Sequence, residues 1–268
     1  MKYIYDVLLI ISSVLLFSCQ NTSEEEVSFT KKNVGGLRLT SLDINTIDIP
    51  VVSTKAADFS MLDKENFILK FYKEDGSEYT GGVEDVNSSG KPTISYSGKT
   101  LKELKELGMP LLFPVGTYKV EAFSYKKENI LENKPYFWGE KDFTIDEHQV
   151  RDATIECKFK SIGVEIVLHN DFLNFFDDSY KITVSNGLGT EFTFDKGNQN
   201  IRYFTEEDIP YLKLQVECRT KDNLVYPVRS YYLNKDGKEP EFNGDSPYLG
   251  EHFIITIGEK DIKVRSLN

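Results

Sequence analysis

A single cysteine after a short apolar run is the residue with the clearest chemistry in this sequence. Residues 7–17 are apolar, Lys2 precedes them, and the small residue Ser18 separates them from Cys19. A bacterial export signal has a charged start, an apolar middle and a small residue before the cleavage site, and this segment has the same order. A membrane-spanning helix needs about 20 apolar residues, so this run is too short to be a permanent span. The order predicts export and cleavage after residue 18, which leaves the thiol of Cys19 at the new N-terminus.

The end of the apolar run has a second property. Leu16, Ser18 and Cys19 resemble the lipobox of bacterial lipoproteins. The resemblance implies that Cys19 carries lipid on its thiol and on its new amino group, and that this lipid holds the chain to the outer membrane. Residues 20–26 are polar and acidic and cannot bury apolar area, so residues 19–33 are predicted to be a flexible tether. Such acidic residues resemble the signal of Bacteroidetes lipoproteins for the outer face of that membrane, and a merely solvated linker explains them equally well.

The charge balance argues against two classes of partner. The chain has 43 Asp and Glu against 32 Lys and Arg, which gives a net charge of −11 at pH 7. Nucleic acid and anionic lipid both require clustered Lys and Arg to neutralise phosphate. We see no such cluster in the sequence and expect no nucleic-acid partner.

The other residue types that commonly do chemistry are not grouped. His148, His169 and His252 are isolated, and Cys157 and Cys218 have neither a CxxC partner nor a nearby histidine. No nucleophile elbow, phosphate-binding loop or dinucleotide-binding glycine pattern occurs. We therefore predict no catalytic residue, no metal and no cofactor. The two cysteines are expected to be buried free thiols, with a disulfide as the alternative outside the cytoplasm.

Two acidic clusters could in principle bind calcium through oxygen. One is Asp177-Asp178 and the other occupies residues 206–208. Neither has the alternating spacing of a known calcium loop. Both are expected to be solvated loops.

An aromatic cluster is the candidate binding site. Tyr136, Phe137 and Trp138 are consecutive, and an exposed ring offers a flat apolar face to a sugar. The alternative is that the three rings pack a long loop against the core, because large rings are mostly buried. The first interpretation predicts ligand contact by these residues and the second predicts none.

Alternating apolar and polar residues indicate β-strands along most of the chain. The pattern is clear in residues 67–71, 155–159, 162–168 and 212–218, and Asn186-Gly187 predicts a hairpin turn. One stretch indicates a helix: in residues 100–107, Thr100 and Glu103 have the spacing of a capping box. A further turn of helix is possible in residues 172–178. The fold class predicted is all-β, with two tandem antiparallel β-sandwich lobes and one short helix.

Three segments together resemble a known family. Residues 35–39 with 54–59, then 113–122, then 135–139, following a lipobox, resemble an uncharacterised family of Bacteroidetes surface lipoproteins, a domain of unknown function. The resemblance covers most of residues 34–257. That family is distantly similar to the fimbrillins, whose two lobes are transthyretin-like β-sandwiches. For this chain the resemblance implies adhesion, pilus assembly or anchoring, with pilus subunits or a host or glycan ligand as partners.

These observations give a domain plan and two functional hypotheses. The plan is a signal peptide at residues 1–18, the tether at 19–33, and lobes at 34–158 and 159–268. The first hypothesis is a surface-exposed, lipid-anchored adhesin or fimbria-associated subunit that is not an enzyme. The alternative is a glycan-binding surface lipoprotein of a nutrient-uptake system.

Overall fold

The computed structural model describes residues 32–45, 62–81, 95–125, 134–205, 209–233, 248 and 250–266. These residues form fifteen β-strands, two short α-helices and one 3-10 turn. The signal segment, Cys19, most of the tether, residues 54–59 and the acidic cluster at 206–208 lie outside the described residues. None of the described helices is long and apolar enough to cross a membrane.

The first seven strands form one sheet. Its order is β3-β2-β5-β6-β7-β1-β4. The strands are β1 (Val34–Asn45), β2 (Ile68–Lys73), β3 (Lys99–Thr100), β4 (Leu111–Pro114), β5 (Gly116–Phe123), β6 (Phe137–Ile145) and β7 (Val150–Phe159). A sandwich of two facing sheets is not confirmed for this region, because all seven strands belong to the same sheet.

Ring contacts across this sheet require it to curl. Strands β2 and β4 are five strand positions apart, which is about 24 Å in a flat sheet. Yet the ring centroids of Phe71 in β2 and Phe113 in β4 are 5.3 Å apart. The sheet therefore wraps around its own hydrophobic cluster, which we call the N-terminal core. Its largest fully buried members are Leu37, Leu42, Phe67, Leu69, Phe71, Leu104, Phe113 and Phe137.

The last eight strands form two four-stranded sheets over a second cluster. The sheet orders are β10-β9-β12-β13 and β11-β8-β14-β15. The strands are β8 (Ile162–Leu168), β9 (Lys181–Ser185), β10 (Glu191–Phe194), β11 (Arg202–Phe204), β12 (Lys213–Glu217), β13 (Arg229–Tyr232), β14 (His252–Ile257) and β15 (Ile262–Ser266). Val164 of one sheet and Val184 of the other are fully buried in the same cluster, which we call the C-terminal core.

The predicted capping box is confirmed. Helix α1 (Leu101–Glu106) begins after Thr100, whose hydroxyl accepts a hydrogen bond from the Glu103 N–H. The Glu103 carboxylate in turn accepts one from the Thr100 N–H at 2.7 Å. Two orphan N–H groups at the helix start are satisfied in this way.

The prediction of a single short helix is wrong. A second helix, α2 (Asn170–Phe175), begins after His169, whose side chain accepts a hydrogen bond from the Asp171 N–H. The predicted helical turn at residues 172–178 therefore starts and ends earlier. Histidine is not among the usual N-cap residues, so the sequence carries no strong start signal there.

The prediction of purely antiparallel lobes is also wrong. β1 pairs with β7 in parallel, and β14 pairs with β8 in parallel. Alternation has the same period of two in parallel and antiparallel strands, so it does not encode direction. The predicted hairpin is confirmed as an antiparallel β9–β10 pair, with Gly187 at φ +75°.

One glycine allows two strands of the first sheet to approach closely. A Cβ on Gly139 in β6 would lie 2.1 Å from the carbonyl oxygen of Glu156 and 2.9 Å from the Cα of Cys157 in β7. Any larger residue would push the strands apart. Gly139 is the last residue of the third segment that carries the family resemblance.

The two cores meet at a short connection. Lys160 and Ser161 join β7 to β8, and the Tyr136 N–H donates to the Ser161 hydroxyl at 2.7 Å. Tyr203 of β11 packs in the N-terminal core, 6.1 Å from Phe159 between ring centroids, whereas the next residue of β11 packs in the C-terminal core. We call this region, made of Tyr136, Phe159, Lys160, Ser161 and Tyr203, the seam.

Candidate functional site

The structure separates the three aromatic residues of the predicted ligand site. Phe137 points into the N-terminal core and is fully buried, and Tyr136 is 6% exposed, with its ring 5.4 Å from that of Tyr125. Trp138 is half-buried, since the next residue of a strand points to the opposite face. The ammonium of Lys160 lies 5.7 Å from the centroid of the Trp138 ring. Ligand contact through Trp138 stays a prediction, and Cys19 lies outside the described residues.

The two cysteines that the structure describes are poor nucleophiles. Cys157 and Cys218 are free and buried, the first in the N-terminal core and the second in the C-terminal core. They are therefore not the disulfide considered from the sequence. Burial raises the pKa of the Cys157 thiol to about 12 and also raises the pKa of Cys218. Thiols in such surroundings are poor nucleophiles because the thiolate is not formed at neutral pH.

In the acidic loop after α2, both carboxylates bind other groups of the protein. Asp177 accepts hydrogen bonds from the N–H and the hydroxyl of Ser179, and these bonds lower the pKa of Asp177. Asp178 forms an ion pair with Lys196. Across the part of the chain that the structure describes, no group of three or more His, Cys, Asp or Glu could hold a metal ion.

An exposed apolar surface was not foreseen from the sequence. Leu224, Val225 and Val228 are 67%, 76% and 58% exposed in the loop between β12 and β13. Phe175 at the end of α2 is also exposed, and its ring lies 6.3 Å from that of Tyr226. We call Phe175, Leu224, Val225, Tyr226 and Val228 the apolar tip. Large aliphatic side chains exposed together mark contact surfaces more often than isolated ones do.

The apolar tip lies at the end of the C-terminal sheets that is farthest from the seam. β8 leaves the seam at Ile162 and ends at Leu168, directly before α2. Beside the apolar tip, the Arg229 guanidinium donates to the carbonyls of Gly258 and Glu259, in the turn where β14 ends. Parallel pairing places the ends of β8 and β14 at the same edge.

The tether joins the molecule at the other side of the seam. Val34 starts β1, and β1 runs parallel to β7 until Asn45 lies beside Lys158, next to the seam. The Val115 N–H donates to the Asn33 carbonyl at 2.9 Å, which holds the start of β1 at the far end of the first sheet. The tether end and the apolar tip therefore each lie at the end of their own lobe that is away from the seam.

A buried polar pair lies at the seam end of the C-terminal sheet. His252 and Glu165 are each 1% exposed, and Nε2 of His252 is 4.0 Å from Oε2 of Glu165. Neither imidazole nitrogen has a hydrogen-bond partner within the described part of the chain. Burial lowers the pKa of His252 to about 4, so the imidazole is neutral at physiological pH. By contrast, His148 and His169 are exposed.

Comparisons with known proteins place the chain beside one family and several solved structures. The family model described as "Domain of unknown function (DUF4493)" matches residues 43–232, more than two thirds of the chain. No curated protein matches significantly. Among solved structures, a "putative adhesin" from Bacteroides thetaiotaomicron is 13% identical with a TM-score of 0.44, covering 90% of this chain and 100% of its own.

A second and a third solved structure are similar to the same degree. A "fimbrial assembly protein" from Parabacteroides distasonis is 11% identical with a TM-score of 0.44, covering 88% of this chain and 99% of its own. A "putative cell adhesion protein" from Bacteroides ovatus is 11% identical with a TM-score of 0.40, covering 86% and 95%. Likeness at this level does not transfer a function, which must be argued from the chain's own residues.

Proposed function

We propose that this chain, which belongs to the family described as a domain of unknown function (DUF4493), is a lipid-anchored protein of the cell surface that binds a partner without catalysing a reaction. It acts as an adhesin or a fimbria-associated subunit. The lobes 34–158 and 159–268 each supply most of one core, with Phe159 and Tyr203 of the second lobe packing in the N-terminal core, and the tether 19–33 joins the lobes to the lipid on Cys19.

The N-terminal residues support the anchor. The basic start, the apolar run of residues 7–17, Ser18 and Cys19 stand in the order that export and lipid attachment require. Two acyl chains together give stable membrane binding, whereas one chain gives only marginal binding. Lipid on both the thiol and the amino group of Cys19 is therefore sufficient to hold the protein at the outer membrane.

The observation that carries the proposed binding role is the position of the apolar tip. The tether enters at Asn33, at the end of β1 that lies away from the seam, and the apolar tip lies beyond the seam at the end of the second lobe. A protein held by its N-terminus therefore keeps the membrane attachment and the exposed Leu224 and Val225 apart. This is the arrangement a surface protein needs in order to reach a partner.

The chemistry of the apolar tip indicates the kind of partner. Leu224, Val225 and Val228 are aliphatic, and aliphatic side chains gain affinity by burying area against another apolar surface. Sugars are instead bound on flat aromatic faces flanked by hydrogen-bonding groups. The partner we propose is therefore an apolar patch on another protein, such as a pilus subunit.

We predict that a double substitution in the apolar tip, Leu224→Glu with Val225→Glu, weakens partner binding at least about tenfold. Each buried aliphatic side chain contributes on the order of 1.5 kcal/mol or more, and buried unpaired carboxylates add a further cost. Both residues are exposed, so the fold should not change. Lysine-reactive cross-linking on intact cells measures the effect, because the exposed Lys221 is in the same loop.

The matched control is Val115→Glu, which places a carboxylate on an exposed apolar residue at the tether end. We expect cross-links from Lys221 to one envelope protein in the wild type and in the control, and their loss in the double variant. Cross-links that are equally abundant in the double variant would remove the apolar tip from the binding role.

A further inference from the structure

The two faces of strand β14 have different surroundings. Phe253, Ile255 and Ile257 point into the C-terminal core, and His252 lies on the opposite face. In the parallel pair with β8, His252 is opposite Gly163, and a Cβ on Gly163 would lie 2.8 Å from the imidazole Nδ1. The imidazole therefore packs flat over a glycine on the outer face of its sheet.

Contact between the two lobes explains the burial of this outer face. Gly163 and Glu165 are buried near the seam, whereas Val167, two residues farther along the same face, is 36% exposed. Tyr203 shares this face, because it pairs with Gly163, and it packs in the N-terminal core. His252 is thus shielded from water where the two lobes meet.

The groups around His252 do not provide a hydrogen bond for a protonated imidazole. The carboxylate oxygen of Glu165 of β8 is 4.0 Å away, which is beyond hydrogen-bonding distance. Tyr203 of β11 and Tyr125 beyond β5 face the same region as Glu165, and burial raises the pKa of both hydroxyls, so they stay neutral. In the segment before His252, the Tyr248 hydroxyl is buried and Glu251 is half-buried.

We propose that His252 makes the seam an acid-sensitive joint, at which protonation of the imidazole separates the C-terminal sheet from the N-terminal core while both cores stay folded. A charged imidazole must be hydrated or hydrogen-bonded, and the closed seam excludes water and holds the Glu165 carboxylate beyond hydrogen-bonding distance. Opening the seam exposes the outer face of β14 to water. It leaves Phe253, Ile255 and Ile257 in place on the other face.

The pH window follows from the direction of the shift. The pKa of His252 falls from 6.5 in water to about 4 in the closed seam, so above pH 6.5 both forms are neutral and the equilibrium does not depend on this group. Between pH 6.5 and 4 the open form binds the proton and the closed form does not. The open population then rises about tenfold per pH unit, to roughly 150-fold at pH 4.

Hydrogen exchange of the intact protein tests this joint. The amides of Tyr136 and Lys160 form hydrogen bonds across the seam, the first to the Ser161 hydroxyl and the second to the Tyr136 carbonyl, and after correction for intrinsic pH dependence their protection should fall about tenfold per pH unit below 6.5. Amides within β5 and β9 should keep their protection. His252→Gln should remove the pH dependence, and His148→Gln or His169→Gln should leave it unchanged.

If His252→Gln does not fold, the double variant His148→Gln with His169→Gln tests the proposal instead. In that double variant His252 is the only histidine in the chain. Seam protection that is constant from pH 6.5 to 4 in that variant would overturn the proposal. Equal loss of protection in the seam and in both cores would also overturn it, because it would mean that acid unfolds the whole protein.

Discussion

Replacement of Phe113 by alanine is expected to lower the free energy of unfolding by about 4 kcal/mol, because it removes a fully buried ring at the centre of the N-terminal core. The Phe113 centroid lies 5.2 to 5.6 Å from those of five other rings: Phe71, Tyr79, Tyr96, Tyr118 and Phe143. Three of these rings lie on β2, β5 and β6 and the other two lie outside the strands, so no single neighbour can fill the cavity.

Urea unfolding followed by the fluorescence of Trp138, the only tryptophan, measures this effect in the lobe where it arises. Val115→Ala, two residues away and exposed, is the control and should change the free energy of unfolding by less than about 0.5 kcal/mol. A loss of under about 1 kcal/mol for Phe113→Ala would contradict the curled sheet, since an exposed or edge ring gives a loss of that size.

The second large effect concerns the anchor. Cys19→Ser is expected to abolish incorporation of labelled fatty acid and to release the protein from the membrane fraction, because serine offers no thiol for lipid attachment. Each buried methylene of an acyl chain contributes about 0.8 kcal/mol to membrane binding, so loss of the lipid removes almost all retention. Metabolic labelling and cell fractionation measure the two outcomes.

The control for the anchor is Ser18→Ala, which keeps a small residue before the cut. Labelling should persist in this variant. Persistent labelling of the Cys19→Ser variant would contradict the assignment of Cys19, because the lipid would then have to be on another residue. The thiols of Cys157 and Cys218 are buried within the two cores, so neither offers an exposed thiol in the folded protein.

Local features could be predicted from the sequence because a few neighbouring residues determine them. Thr100 and Glu103 are three residues apart, and the side chain of each accepts a hydrogen bond from the backbone N–H of the other, so their pattern alone locates α1. The alternating residues of β8 and β12 locate strands for the same reason. The family was also recognisable, since the matching model spans residues 43–232 and includes the segments at 113–122 and 135–139.

Features that depend on distant residues could not be predicted. Phe71 and Phe113 are far apart in the chain, and nothing around either one indicates that β2 and β4 face each other. Strand direction is similarly hidden, because β1 pairs in parallel with β7 across more than 100 residues. In both cases the deciding contact is long-range, and alternation reports only which side of a strand is apolar.

The sequence did not indicate the functional role proposed for Leu224 and Val225 or the one proposed for His252, and the reasons are opposite. Leu224 and Val225 are apolar, which usually indicates burial, yet both are exposed. His252 is polar and isolated in the sequence, which usually indicates a solvated residue, yet it is 1% exposed. Exposure of the first pair depends on a loop that projects from its sheet, and burial of the second depends on contact between lobes.

Mass spectrometry of the N-terminal peptide of the mature protein, isolated from membranes, tests the lipid anchor most directly. We expect Cys19 to be the first residue and to carry lipid on both its thiol and its amino group. A mature protein that is secreted freely, or one whose first residue is unmodified, would contradict anchoring at the cell surface.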